Sequence, residues 1–160
     1  MLRVSRLTDY GTLVMSLMAA APGQVYSASD LAGRLGLGVA TVSKILKSLA
    51  RHELVASVRG QRGGYSLSRA PQAITLADIV DALEEQPFGL TECSAHAGQC
   101  GIEGGCTVQA NWQRVSAVVR RALESVSLAD MLEPVPVPIQ GPHRVVAVSR
   151  LADAPAGRSR

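Results

Sequence analysis

Between Ser27 and Arg51 two short helical patterns follow each other with only Gly36-Leu37-Gly38 between them. A gap that small forces the second helix to turn sharply off the first, because three residues leave no room for a wandering loop. Ser27 opens the first pattern with Asp30 three residues on, a capping-box arrangement with Asp in place of the usual Glu. The pattern runs through Leu31 and Leu35 and stops at Gly36. The next carries Val39, Val42, Ile45, Leu46 and Leu49 on one side, and Thr41, Ser43, Lys44, Lys47, Ser48 and Arg51 on the other. Upstream, Leu7, Tyr10, Val14, Leu17, Met18 and Ala21 form a first helical stripe that Pro22-Gly23 ends. Downstream, Leu54 to Arg59 and Tyr65 to Ser68 alternate as two short strands around Gly60-Gln61-Arg62-Gly63-Gly64.

Three helices and a basic, glycine-tipped hairpin make a winged helix-turn-helix, so the predicted fold class is mainly α with a small β-hairpin wing. Charge supports a polyanion partner. Residues 1–70 carry nine Lys/Arg against three acids, a net +6, whereas residues 71–109 carry six acids and no Lys or Arg, and the whole chain sums to only +3. Thr41, Ser43, Lys44 and Lys47 are placed to enter a DNA major groove, about 12 Å wide, with the helix's apolar face seated on its neighbours. Arg59 and Arg62 flank the wing glycines, where they reach phosphates or a minor groove. A solvated amphipathic face would explain the lysines alone, but not together with a glycine wing and its two arginines. The expected partner is a double-stranded DNA operator.

Thr75 with Asp78 caps a further short helix bearing Ile79, Val80 and Leu83, which Pro87 is expected to close. The acidic stretch then runs into a glycine-rich segment without period, read as a loop, holding all three cysteines of the chain, Cys93, Cys100 and Cys106. A long helix is expected from Trp112 through Val115, Val118, Val119, Leu123 and Val126 to about Met131. The Pro-rich tail beyond it is expected to be extended or disordered. The predicted organisation is a DNA-binding domain over 1–86, a cysteine loop over 87–108, a long helix over 109–133 and the tail over 134–160.

No stretch approaches ~18 uninterrupted apolar residues, and the N-terminus lacks the apolar run of a signal peptide, so the expected location is cytoplasmic with no membrane partner. An odd cysteine count in a reducing compartment argues against a disulfide framework. Three soft thiolates in a glycine-rich loop suit zinc or an iron–sulfur cluster, and the spacing Cys-x6-Cys-x5-Cys matches neither paired zinc-site cysteines nor a ferredoxin. Candidates for a fourth ligand are His96, Glu92, Glu103 and Gln109 locally, with Asp9 from elsewhere in the fold. An enzyme is not expected, since no nucleotide-binding glycine fingerprint and no recognisable cysteine–histidine catalytic spacing is present.

The runs LTDYGTLVM, TVSKILKSLA, VRGQRGGYSLSR and ITLADIVDALE, with the cysteine loop behind them, resemble the Rrf2 family over about residues 1–131. The run TECSAHAGQC, with NWQR and SLADM further on, is most similar to the subgroup regulating SUF-type iron–sulfur assembly. The resemblance implies a homodimeric winged-helix regulator that carries an iron–sulfur cluster, 4Fe–4S or 2Fe–2S, on Cys93, Cys100 and Cys106, with 109–133 as its dimerisation helix and the stripe around Val115, Val119 and Val126 buried against a second chain. IscR-like members place a histidine ligand where this chain has Gln109, a poor iron ligand. NsrR-like members use an aspartate of the first helix, supplied by the partner subunit, and that position is Asp9 here. IscR-like members also have a glutamate where this chain has Ser43, which implies a different operator preference; Arg59 matches the family's wing arginine. The implied function is a transcriptional regulator, a repressor of iron–sulfur assembly genes that senses its cluster. The alternatives are a nitric-oxide- or redox-sensing regulator with the same cluster, and a zinc-stabilised DNA-binding protein.

Overall fold

The computed structural model describes residues 3–60, 63–84, 88–96 and 98–133. Helix α1 spans Arg6–Ala19, α2 Ala28–Leu35 and α3 Val39–Arg51; strands β1 (Val55–Val58) and β2 (Gly64–Leu67) follow, then α4 (Leu76–Leu83), α5 (Glu92–Ala95) and α6 (Gln109–Glu124). The fold is the mainly helical one with a single two-stranded antiparallel wing that the sequence predicts.

Local chemistry starts and stops these elements where the sequence indicates. Ser5 caps α1, its Oγ accepting from the Thr8 backbone N–H at 3.1 Å. Both capping boxes form: Ser27 with Asp30 at α2, and Thr75 with Asp78 at α4, where the reciprocal bonds are 2.9 and 3.1 Å. Gly36 ends α2 at φ 66°, a left-handed conformation that a β-carbon disfavours, and its N–H closes onto the Ala32 carbonyl. Leu83 ends α4 four residues before Pro87, so the helix stops without the proline; residues 85–87 lie outside the described ones.

The core is a single cluster inside the winged domain. Val14, Met15 and Met18 of α1, Leu31 of α2, and Val42, Ile45, Leu46 and Leu49 of α3 are buried together with Leu54, Ile74 and Ile79. Gly11 lets α1 and α4 approach closely, because a β-carbon there would run into the Leu83 side chain. The wing is registered Val55↔Leu67 to Val58↔Gly64, and β2 also exchanges two backbone bonds with the segment before α2, at 2.9 and 2.8 Å between Tyr26 and Tyr65. This bridge ties the wing to the segment that leads into α2.

Two expectations require correction. The long helix ends at Glu124, short of Met131: Ser125 Oγ bonds back to the Ala122 carbonyl at 2.8 Å, and the chain then turns in to place Leu128 wholly in the core. Thr75 and Ser127 bridge, with Leu76 N–H donating to Val126 O at 2.9 Å and Leu128 N–H to Ile74 O at 2.8 Å. Core burial of Leu128 outcompetes continuation of a surface helix. The cysteine segment, expected as a plain loop, contains the one-turn helix α5 and a 3-10 turn at Glu103–Gly105. The Pro-rich tail lies outside the described residues.

Candidate nucleic-acid interface and cysteine loop

Helix α3 presents its charged face outward because its apolar positions are spent inside: Lys44, Lys47 and Arg51 are exposed, Thr41 and Ser43 half-buried. Ser43, Lys44 and Lys47 line one groove of about 900 Å³ with Ala40, Ala50 and Arg51 of the same helix and Ser57 and Tyr65 of the wing. Thr41 is not part of that lining, nor is Arg59, which is exposed just after β1; Arg62 lies outside the described residues. Arg51, Ser57 and Tyr65 were missed from the sequence. The signal for Arg51 was there, one turn beyond Lys47 on the same face; Ser57 and Tyr65 enter only because the wing folds against α3. His52 stands at the end of α3 with Nδ1 3.0 Å from the Ser48 carbonyl, as expected for a helix C-terminus.

The helix is tied to what lies behind it. Ser48 Oγ, itself buried, donates to the Ala82 carbonyl of α4 at 2.7 Å and accepts from Arg51 Nη2 at 3.0 Å. The adjacent Asp81 accepts from Nη1 and Nη2 of Arg120 on α6 at 2.6 and 2.7 Å, and Arg120 Nε donates to Glu124 at 2.9 Å. Bonds to Asp81 first, and then to Glu124, hold that guanidinium still more firmly protonated than usual. Three residues beyond Asp81, Glu84 accepts from Ser5 N–H at 3.0 Å and from the Thr8 hydroxyl. Partial burial pushes the Glu84 carboxyl up, but the hydrogen bonds from Thr8 and Ser5 outweigh it and leave it below the ordinary glutamate value. The last turn of α4 therefore grips α3, α6 and the start of α1.

Helix α6 divides its apolar residues between two sides. Val119 and Leu123 turn inward, where they line a recess with Val80, Leu83 and Leu90. Trp112, Val115 and Val118 are 44, 44 and 51% exposed, and Ser116 is the only buried residue of the helix. The six apolar residues that mark the expected helix thus belong to two faces and, for Val126, to the turn beyond.

Cys93 sits on α5, Cys100 beyond Gly98, and Cys106 after the 3-10 turn; all three thiols are free and half-buried. Thr91 Oγ1 lies 3.3 Å from Cys93 Sγ. Among the described residues no three His, Cys, Asp or Glu side chains are gathered as a metal site. The donor chemistry nonetheless fits a thiophilic centre: three thiols on one stretch, whose Gly98, Gly101, Gly104 and Gly105 have open space around them for a change of backbone path. Of the candidate fourth ligands, Glu103 and Gln109 are bonded to each other at 2.7 Å. Glu92 is exposed at the start of α5, and His96 is its half-buried C-cap. Asp9 is exposed in the first turn of α1, the turn that Glu84 grips through Ser5 and Thr8.

A helical core, a recognition helix with an outward basic face and a wing folded beside it define a winged-helix DNA-binding regulator. A family model described as an iron-dependent transcriptional regulator, Rrf2, matches residues 4–134. The chain belongs to the Rrf2 family of transcriptional regulators, and so is not an enzyme. It is 33% identical over 131 residues to a candidate HTH-type regulator, ORF2, of Azotobacter vinelandii, covering 79% of each chain. Among solved structures, CymR of B. subtilis, the global cysteine regulator, superposes with a TM-score of 0.65 at 28% identity, covering 82% of this chain and 97% of CymR. IscR of T. potens gives 0.61 at 30% identity, over 82% and 86% of the two chains. No described helix is long and apolar enough to cross a membrane.

Proposed function

We propose that the chain is a homodimeric repressor of iron–sulfur assembly genes of the SUF type, whose grip on its operator depends on an iron–sulfur cluster. Cys93, Cys100 and Cys106 would hold the cluster, with the partner subunit's Asp9 as fourth ligand. The observation that carries this reading is three free, half-buried thiols confined to one segment that runs directly into α6, whose outer face exposes Trp112, Val115 and Val118. A face of that kind on a helix is suited to cover by a second copy. When bound, the cluster supplies a thiolate-ligated iron centre whose presence responds to iron supply and oxidants.

The protein's own part is mechanical and electrostatic. Thr41, Ser43, Lys44 and Lys47 read base edges and phosphates, and Arg59 and Arg62 hold the flanking backbone. Arg120, through Asp81, and Ser48, through Ala82, join α6 and α3 to neighbouring residues of α4. A change of α6 or its attached loop that shifts this turn alters the placement of both recognition helices of a dimer. Only such a differential contact lets cluster state bias operator affinity. The acidic stretch around the cysteines keeps the loop away from phosphates that attract the basic half.

The deciding experiment is anaerobic purification followed by an absorbance spectrum with iron and acid-labile sulfide stoichiometry. Visible charge-transfer bands with matched iron and sulfide are expected. A colourless protein containing zinc would instead establish the zinc-stabilised alternative.

A further inference from the structure

The Glu103 carboxylate bridges two points of the cysteine segment, one five residues before it and the other six after. Its Oε2 accepts from the Gly98 backbone N–H at 2.6 Å, and its Oε1 from Gln109 Nε2 at 2.7 Å. Gly98 lies between Cys93 and Cys100, and Gln109 is the first residue of α6, three beyond Cys106. One side chain thus closes residues 98 to 109, with Cys100 and Cys106 inside the ring, onto the end of a helix. Glu103 itself opens the 3-10 turn, which Gly104 and Gly105 complete. The backbone bonds within this ring are local: Glu103 N–H to Cys100 O, Gly105 N–H to Ile102 O and Cys106 N–H to Glu103 O, at 3.1, 3.1 and 3.3 Å.

We infer that Glu103 is a positioning residue: with Gln109 it closes the cysteine loop before any cluster binds, so that the thiols start from a restricted set of positions. The inference rests on the cluster reading above. Its physical basis is loop closure. An open loop must surrender conformational entropy when several of its residues converge on one centre, and a loop whose ends are already joined has surrendered part of it. Hydrogen bonds to a carboxylate are short and strong enough to maintain such a joint in a partly solvated segment. The same bonds engage the side chains of Glu103 and Gln109, which assigns both to the frame of the loop and neither to the ligand set.

The test uses the full-length protein in two measurements. In the cluster-free form, Glu103→Ala is expected to raise amide hydrogen exchange over residues 98–109 by about tenfold, with exchange in α1 to α4 unchanged. After anaerobic reconstitution with ferrous iron and sulfide, the same variant is expected to lose its visible absorbance to an iron chelator about tenfold faster than wild type. Gln109→Ala should act in the same direction. Gln109→Glu, which sets two carboxylates against each other, should be worse, and the exchanged pair Glu103→Gln/Gln109→Glu should restore most of the lifetime, since an amide and a carboxylate again face each other. Rescue by exchange separates this pairing from general damage to the loop. Unchanged exchange in Glu103→Ala overturns the brace, and a wild-type cluster lifetime in that variant, or no rescue in the exchanged pair, overturns its positioning role. A wild type that forms no cluster at all fails at the earlier step and removes the cluster reading itself.

Discussion

The winged domain and the segment behind it are built on opposite terms. From α1 to α4 every helix has a face of fully buried aliphatic side chains, and the same cluster reaches into β1 and out to Leu128. From Leu90 to Glu124 the only buried residue among those described is Ser116, while Ile102, Val108, Trp112, Val115 and Val118 are exposed. The first region has its own aliphatic core, although Val4, Leu13, Val25, Val39 and Val58 are exposed at its surface. The second is held by polar pins, chiefly Arg120 on Asp81, Leu90 N–H on Ser116 Oγ, and the Glu103 brace, and it displays apolar surface that water disfavours. The difference separates a reader held by aliphatic packing from a segment held mainly by hydrogen bonds and an ion pair.

That contrast is open to direct tests, the largest expected effect coming first. Leu46→Ala, at a wholly buried position of α3, should destabilise the fold by roughly 2–5 kcal/mol in denaturant titrations, through lost transfer energy and a residual cavity. A Leu46→Ala protein as stable as wild type would mean that the core is not where the stability lies. Val118→Asp should leave the fold of the winged domain intact by circular dichroism and, if the proposed dimer covers this face of α6, shift sedimentation from dimer to monomer. Ser48→Ala should cost about 1–3 kcal/mol, since it leaves the Ala82 carbonyl buried without its donor. If the α4 turn also conveys cluster state, that variant narrows the affinity gap between cluster-bound and cluster-free protein on operator DNA.

Smaller effects belong to the surface of the reader. Lys47→Ala should weaken binding evenly across DNA sequences and reduce the slope of log affinity against log salt by about one, the signature of one lost phosphate contact. The gentlest is a pH effect. Glu84 is held below its ordinary value, so its bonds to Ser5 and Thr8 contribute stability above the unfolded carboxyl's pKa, and that contribution is lost as pH falls through the lowered folded value. Glu84→Gln should therefore flatten the acid limb of the stability profile. Because Glu84 grips the turn that bears Asp9, the same variant is expected to shorten cluster lifetime if Asp9 is a ligand.

Much of this was legible in residue order. Ser27 with Asp30, Thr75 with Asp78 and Gly36 announce helix ends because capping is a matter of atoms three or four residues apart. Lys44 and Lys47 are outward because Val42, Ile45, Leu46 and Leu49 must be inward, and a 3.6-residue period admits no other arrangement. The cysteines were visible as a donor set, but their distances were not. The end of α6 was misread for the same kind of reason: Val126 and Met131 continue a helical period, and nothing local reveals that Leu128 has a vacancy in the core beside Ile74.

The sequence by itself therefore determined the helix-turn-helix and its wing, the basic face, and the segregation of three thiols in an acidic segment, since each follows from short-range periodicity, capping and charge. Only the tertiary structure decided that Arg51, Ser57 and Tyr65 share a groove with Ser43, Lys44 and Lys47, that Asp81, Ala82 and Glu84 tie three helices to one turn, and that Glu103 reaches both Gly98 and Gln109. Those contacts join groups that the chain order does not pair, and they become available only after burial of the aliphatic core has set the distances between the elements that carry them.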